Sequence, residues 1–186
     1  MVGNVLLSVV ITGVLAIVVY AWVRRRDHRL VTALRAWAEA SGWRARPGPA
    51  PLVLPSTWPD YPAAAGNPLL TLDGQRQGYP LILQWVTQVE SRATACYVTL
   101  HRDHATTKIR RHALARYLPP EERHEVVGRL SPDARAALRS TAAHSWQLSG
   151  RYLVAVRDGW LAPDRIESLL QDVTTVAAAI DGSLSE

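Results

Sequence analysis

Apolar and polar positions alternate along this chain with several distinct periods. From Val5 to Val23 there is no period, because 19 residues pass without a charge, and only Ser8, Thr12 and Gly13 interrupt a run of Val, Leu and Ile. A helix of that length spans about 28 Å at ~1.5 Å per residue, close to the ~30 Å hydrocarbon thickness of a bilayer. Tyr20 and Trp22 stand at its end, where amphipathic rings favour the membrane interface, and Arg24, Arg25 and Arg26 follow at once. A cleaved signal peptide would need a basic start, a shorter apolar core and a small-residue cleavage site. None of these is present, so the run predicts an uncleaved transmembrane helix, with residues 1–27 as an anchor and its basic flank.

A helical period follows. Leu30, Val31, Leu34, Trp37 and Ala38 share one face, with Arg29, Thr32, Arg35 and Glu39 opposite, and Gly42 is the expected stop. This predicts an amphipathic juxtamembrane helix within 28–46, continuing from the anchor. Its Arg residues either set topology or meet anionic headgroups. Residues 47–68 hold seven of the twelve Pro and read as an irregular linker. Its Leu52, Val53, Leu54, Trp58 and Tyr61 suggest that it packs along the domain, and Pro59-Asp60-Tyr61-Pro62 lacks the basic neighbour of a PxxP ligand.

From residue 69 to 182 the pattern predicts an α+β domain with an antiparallel sheet and packed helices. Leu69–Leu72 is followed by turn chemistry at Asp73-Gly74 and Gly78. Leu81, Leu83 and Trp85, and then Cys96, Val98 and Leu100, keep the period of two expected of half-buried strands. Pro119-Pro120-Glu121-Glu122 reads as a helix start, with Glu121, Glu122 and Glu125 serving the dipole. Ser131-Pro132-Asp133 reads as a second start, with a Ser cap and Pro at the first position. Ser149-Gly150 between two apolar runs signals a two-residue hairpin. Pro163 opens a last helix whose stripe is Ile166, Leu169, Leu170, Val173, Val176, Ala177 and Ile180, closed by Gly182.

Charge sharpens this picture. The net charge is +5, and all of the excess lies in residues 24–46, where seven Arg face Asp27 and Glu39. The remainder to residue 186 is balanced, with 14 groups of each sign. A nucleic-acid binder carries its basic stripe on the folded domain, so nucleic acid is not an expected partner. The N-terminal flank has no Lys or Arg, so the positive-inside bias predicts the N-terminus outside and the main domain cytoplasmic, at the inner face of the plasma membrane. Ser8, Thr12 and Ala16 recur every four residues and offer a face for a homodimer within the membrane.

The domain holds few candidates for chemistry. His101-Arg102-Asp103-His104 resembles a kinase catalytic loop, but the chain has no Phe, one Lys and no glycine-rich phosphate loop. His101, His104 and His112 with Asp103 lack the spacing of a zinc motif. The single cysteine, Cys96, lies on the apolar face of its strand and reads as packing. No catalytic, metal or cofactor residue is assigned, and no cofactor is expected.

Several of these segments together carry a resemblance. The run Leu130 to Leu138, then Ser145-Trp146, then Ser149-Gly150-Arg151-Tyr152-Leu153, a Pro-initiated helix ending near Ala178–Asp181, the Gly42-Trp43 pair and the N-terminal apolar helix make the chain similar to a family of uncharacterised single-pass membrane proteins of high-GC actinomycetes. The resemblance implies that layout and carries no activity. The expected function is a non-enzymatic, membrane-anchored protein whose domain mediates protein–protein interaction. The alternative is a membrane-tethered sensor that binds a small ligand or lipid headgroup.

Overall fold

The computed structural model describes residues 2–48, 67–87, 92–111, 124–127, 130–141 and 145–182, with side chains of the first helix from Ile11 onward. Helix α1 (Val2–Ala40) is one unbroken element of 39 residues, about 58 Å long at ~1.5 Å per residue. Strands β1 (Arg44–Arg46), β2 (Asn67–Arg76), β3 (Tyr79–Thr87), β4 (Arg92–Arg111) and β5 (His124–Val127) follow. Then come α2 (Pro132–Ser140), β6 (Ser145–Asp158), a short 3-10 turn at Pro163–Arg165 and α3 (Ile166–Gly182).

The sheet is antiparallel throughout and runs β1-β2-β3-β4, with β6 on the other side of β4 and β5 beside the second half of β4. Strand alternation assigns its two faces. Leu70, Leu72, Leu81, Leu83, Trp85, Cys96, Val98 and Leu153 point to one side and form a single core with α1, α2 and α3. Ala95, Tyr97 and Val154 are buried on the other side. The helices therefore share one face, as the α+β expectation required. The helical stripe of α3 is buried at all seven expected positions, with Thr174 between them donating its hydroxyl to Leu170 O at 2.8 Å. The start of α2 is also as expected: Ser131 Oγ accepts from Ala134 N at 3.1 Å, and Pro132 opens the helix.

Half of α1 belongs to this domain. Leu34 and Ala38 are fully buried in the core, with Leu30, Val31 and Trp37 packed against it. Arg92 pairs with Asp27 at 3.3 Å and lies over the Trp160 ring, 4.1 Å from its centroid. At the helix end Trp43 lies flat on Gly74, so close that a Cβ there would fall 2.7 Å from Trp43 Cε2. Helix α1 thus runs from the sheet end that carries Thr87 and Arg92 to the opposite end, near the β2–β3 turn. We call these the proximal and distal ends.

The observed structure corrects several expectations. Within the 28–46 segment the helix ends at Ala40, as the Gly42 stop predicts, and Gly42 with its φ of 72° turns the chain so that residues 44–46 form a strand paired with Asp73, Leu72 and Thr71. The folded domain begins inside α1 rather than at residue 69, because the amphipathic face finds the sheet. Residues 67 and 68, placed in the linker, open β2, and Leu52 to Tyr61 lie outside the described residues. The helix start at Pro119–Glu122 also lies outside them, but Glu125 stands on β5, paired with Arg110, so no helix continues through it. Ser149-Gly150 makes no hairpin. Both residues lie within the continuous β6, and Gly150 with its φ of 56° sits opposite His104. The local signal for a left-handed residue was sound, but β4 competes for the flanking strands and wins.

Among the described residues no helix is long and apolar enough to cross a membrane. From Ile11 the apolar run lasts only to Val23 before Arg24 to Asp27. The expected span from Val5 therefore draws on residues 5–10, whose side chains are not described.

Candidate functional site

The most organised polar cluster lies at the distal end, where β4 departs from its register. Between the pairs Thr99–Tyr152 and His104–Gly150, residues 100–103 of β4 oppose the single residue Arg151. Such a bulge takes backbone groups out of the ladder and re-aims side chains. Arg151 Nε caps one of the freed groups, Leu100 O, at 3.3 Å. His101 N, another, donates to Asp181 Oδ2 at 3.0 Å.

Asp181 lies in the last turn of α3, where the helix dipole disfavours a carboxylate. Three donors offset this: His101 N, the His104 ring with Nε2 3.2 Å from Oδ1, and the Tyr79 hydroxyl. Burial pushes the Asp181 carboxyl upward, but these hydrogen bonds and the His104 charge outweigh it and hold the group below its ordinary 3.8. The same surroundings push the Tyr79 hydroxyl up to about 12, first through burial and then through Asp181. The side chains of His104 and Asp181 are 8% and 9% exposed, so the pair is largely sheltered from solvent. The His101 ring, itself exposed, tilts against Tyr79 with centroids 4.6 Å apart.

The candidates from the sequence divide here. His101 and His104 meet, through Asp181, a residue that local pattern had not singled out. Arg102 and Asp103 are exposed on the bulge, and His112 lies outside the described residues. No cluster of three or more His, Cys, Asp or Glu among the described residues is arranged to hold a metal ion. Cys96 is fully buried among apolar side chains, which pushes its thiol well up. An Asp–His pair of this kind can orient an imidazole, but a Tyr hydroxyl held neutral at about 12 is a poor nucleophile. What the geometry does directly is tie the end of α3 to the β4 bulge.

That role has a pH signature. The folded-state value of Asp181 is lowered, so its stabilisation is present above the unfolded value of 3.8 and lost as pH falls through the folded value. Asp181→Asn should lower stability at neutral pH by about 1–3 kcal/mol, the cost of weakening buried charge-assisted hydrogen bonds. The gap between wild type and variant in thermal melts should be open at neutral pH and close as pH falls below 3.8. A gap independent of pH would remove the carboxylate from this account.

A broader concavity of about 910 Å³ lies on the sheet face opposite the helices, with Arg44, Arg46, Asp73, Ile82, Tyr97 and Thr99 among its walls. Arg46 and Asp73 pair across it at 2.7 Å. Two smaller grooves flank α1 near its Arg cluster, at about 620 and 520 Å³.

No protein-family model and no curated protein matches this sequence. Among solved structures, the fold is similar to the crystal structure of the mycobacterial trehalose monomycolate transport factor A, TtfA, with a TM-score of 0.60 over 81% of this chain and 93% of that one. At 12% identity the likeness concerns the fold: both chains share the α+β arrangement over most of their lengths.

Proposed function

We propose that this chain is a non-enzymatic protein anchored in the plasma membrane by α1, whose α+β domain engages a protein partner on the cytoplasmic side. The observation that carries the anchor is the state of α1 beyond the domain. Ile11, Val14, Leu15, Ile17, Val18, Val19, Tyr20 and Trp22 are each more than half exposed, on every side of a helix whose other half is fixed in the core. Burying each such side chain is worth roughly 1.5–3 kcal/mol, so a rod of them projecting into water is not a stable arrangement. A bilayer is the surrounding that covers all sides at once, and residues 5–10 supply the missing length.

The fold likeness supports a non-enzymatic role of this kind, TtfA being a transport factor. The polar distal end supports a partner surface, because it lies at the sheet end away from the proposed anchor and presents His101, Arg102 and Asp103 to solvent. Binding of a small ligand or headgroup, the sensor reading, finds its support in the concavity beside Arg44 and Tyr97.

A photo-crosslinking amino acid at Arg102, introduced into the full chain in cells, separates these readings. A discrete protein adduct is expected there and not from the same group at Arg24. An adduct only with a second copy of the chain would make the domain a self-association module. No adduct, together with a raised melting temperature of the full chain in detergent on adding headgroup analogues, would favour the sensor.

A further inference from the structure

The junction of helix and domain is built as more than a tether. At the proximal end, α1 and the start of β2 enclose a groove of about 620 Å³, lined by Ala21, Arg24, Arg25, Asp27, Val31 and Leu69. Its walls are mainly apolar. Leu69 is the one large apolar side chain of the described sheet left substantially exposed, at 38%. The Asp27 carboxylate, the one acid in the groove, is engaged by Arg92, which leaves Arg24 and Arg25 to set its sign. A second groove on the adjacent face of the helix shares Arg25 and His28 and adds Arg29. Arg92 and Trp160 stack beside Asp27, so the proximal end also carries an aromatic of the kind found at membrane interfaces.

We propose that the groove between α1 and β2 holds the headgroup of an anionic phospholipid of the surrounding bilayer, its phosphate between Arg24 and Arg25 beside Leu69 and its acyl chains running back past Ala21 along the apolar run. This rests on the membrane-anchored reading. Three features carry it. The groove begins where the apolar run ends, which is the depth of the headgroup layer. Its two Arg side chains suit a phosphate, and Ala21 leads from them into the apolar run that acyl chains would follow, whereas Arg residues that only set topology would not need a groove. Finally, α1 is continuous and packed into the core, so the domain stands at a set height with its proximal end against the membrane. A flexible linker would let that end drift from the lipid.

The full chain in nanodiscs of phosphatidylcholine provides the test. Leu69→Cys carries a bimane label; Cys96, buried and with a raised thiol pKa, does not compete for it. Headgroup-nitroxide lipid is added at equal mole fraction, as phosphatidylglycerol or as phosphatidylcholine. Quenching of the Leu69 label by the anionic lipid should exceed that by the zwitterionic one by at least roughly twofold, and salt should reduce the excess. Arg24→Gln with Arg25→Gln should abolish the preference while leaving the melting temperature unchanged.

Labels at Val19→Cys and Arg102→Cys separate the two readings. Acyl-chain nitroxides should quench the first strongly and the second hardly at all. An unquenched Val19 label overturns the membrane anchor and this proposal together. A quenched Val19 label with equal quenching of Leu69 by both lipids overturns the anionic site alone. A Leu69 label reached by neither lipid and shielded from aqueous iodide means that a protein surface covers the groove, which also overturns it. If the double Arg variant fails to insert, its own Val19 label reports this, and Arg24→Lys with Arg25→Lys, which keeps both charges, should retain the preference.

Discussion

Leu169→Asp should leave the domain without a cooperative thermal transition. Leu169 is 1% exposed, on the α3 stripe that covers the sheet. Its neighbours in the core are apolar, so a carboxylate there would be buried without a partner, at a cost of at least about 3–5 kcal/mol. Folded domains hold only about 5–15 kcal/mol in all. Leu169→Ala removes the same contacts without a charge and should cost about 2–5 kcal/mol, lowering the melting temperature while keeping a single transition. Ser168→Asp, one residue away on the exposed face, should change little. Far-ultraviolet circular dichroism of the full chain in detergent measures all three. An unchanged melt for Leu169→Asp would mean that α3 is not docked on the sheet.

Exchanging the charges around α1 should reverse the protein in the membrane. Residues 1–4 carry no Lys or Arg, and Arg24, Arg25 and Arg26 follow the apolar run. Each Arg costs about 2.5–3.5 kcal/mol at the centre of an inserting helix, so on the proposed anchoring the cluster should stay on the cytoplasmic side. Alkaline phosphatase fused at Glu186 should therefore be inactive, and green fluorescent protein at the same place should fluoresce. Three Arg placed after Met1, with Arg24, Arg25 and Arg26 replaced by Ser, should move molecules toward the opposite pattern. Strong phosphatase activity in the unaltered fusion would put the domain outside the cell, and a swap without effect would show that charge does not govern this helix.

These two experiments fall on the parts of the chain that were most legible in the sequence. The buried stripe of α3, the Ser131-Pro132 start of α2 and the core face of Leu81, Leu83, Trp85, Cys96, Val98 and Leu100 all rest on side-chain periods and local hydrogen bonds, whereas the other face of β4, expected to be open, buries Ala95 and Tyr97 as well. Such signals survive whatever the rest of the chain does, because a 3.6- or 2-residue period has one buried solution against one core face. The polar cluster was only half legible. His101 and His104 stood out for their proximity in sequence, but Asp181 lies 77 residues beyond His104 and looked like the ordinary end of a helix.

Sequence alone therefore determined which residues have a buried face, where the charge excess lies and which segments are helix or strand by local chemistry. Tertiary structure decided what those faces meet. It docked the second half of the continuous helix on the sheet through Leu34 and Ala38, while Ile11, Val14, Leu15, Ile17, Val18, Val19, Tyr20 and Trp22 stay more than half exposed. It turned Ser149-Gly150 from a hairpin into a point opposite a bulge, because pairing with β4 satisfies far more backbone groups than a short turn would. It also turned the exposed-looking His101-Arg102-Asp103-His104 run into the anchor for α3. Backbone N–H groups released by an irregular strand must find acceptors, and only the folded chain brings the Asp181 carboxylate to them.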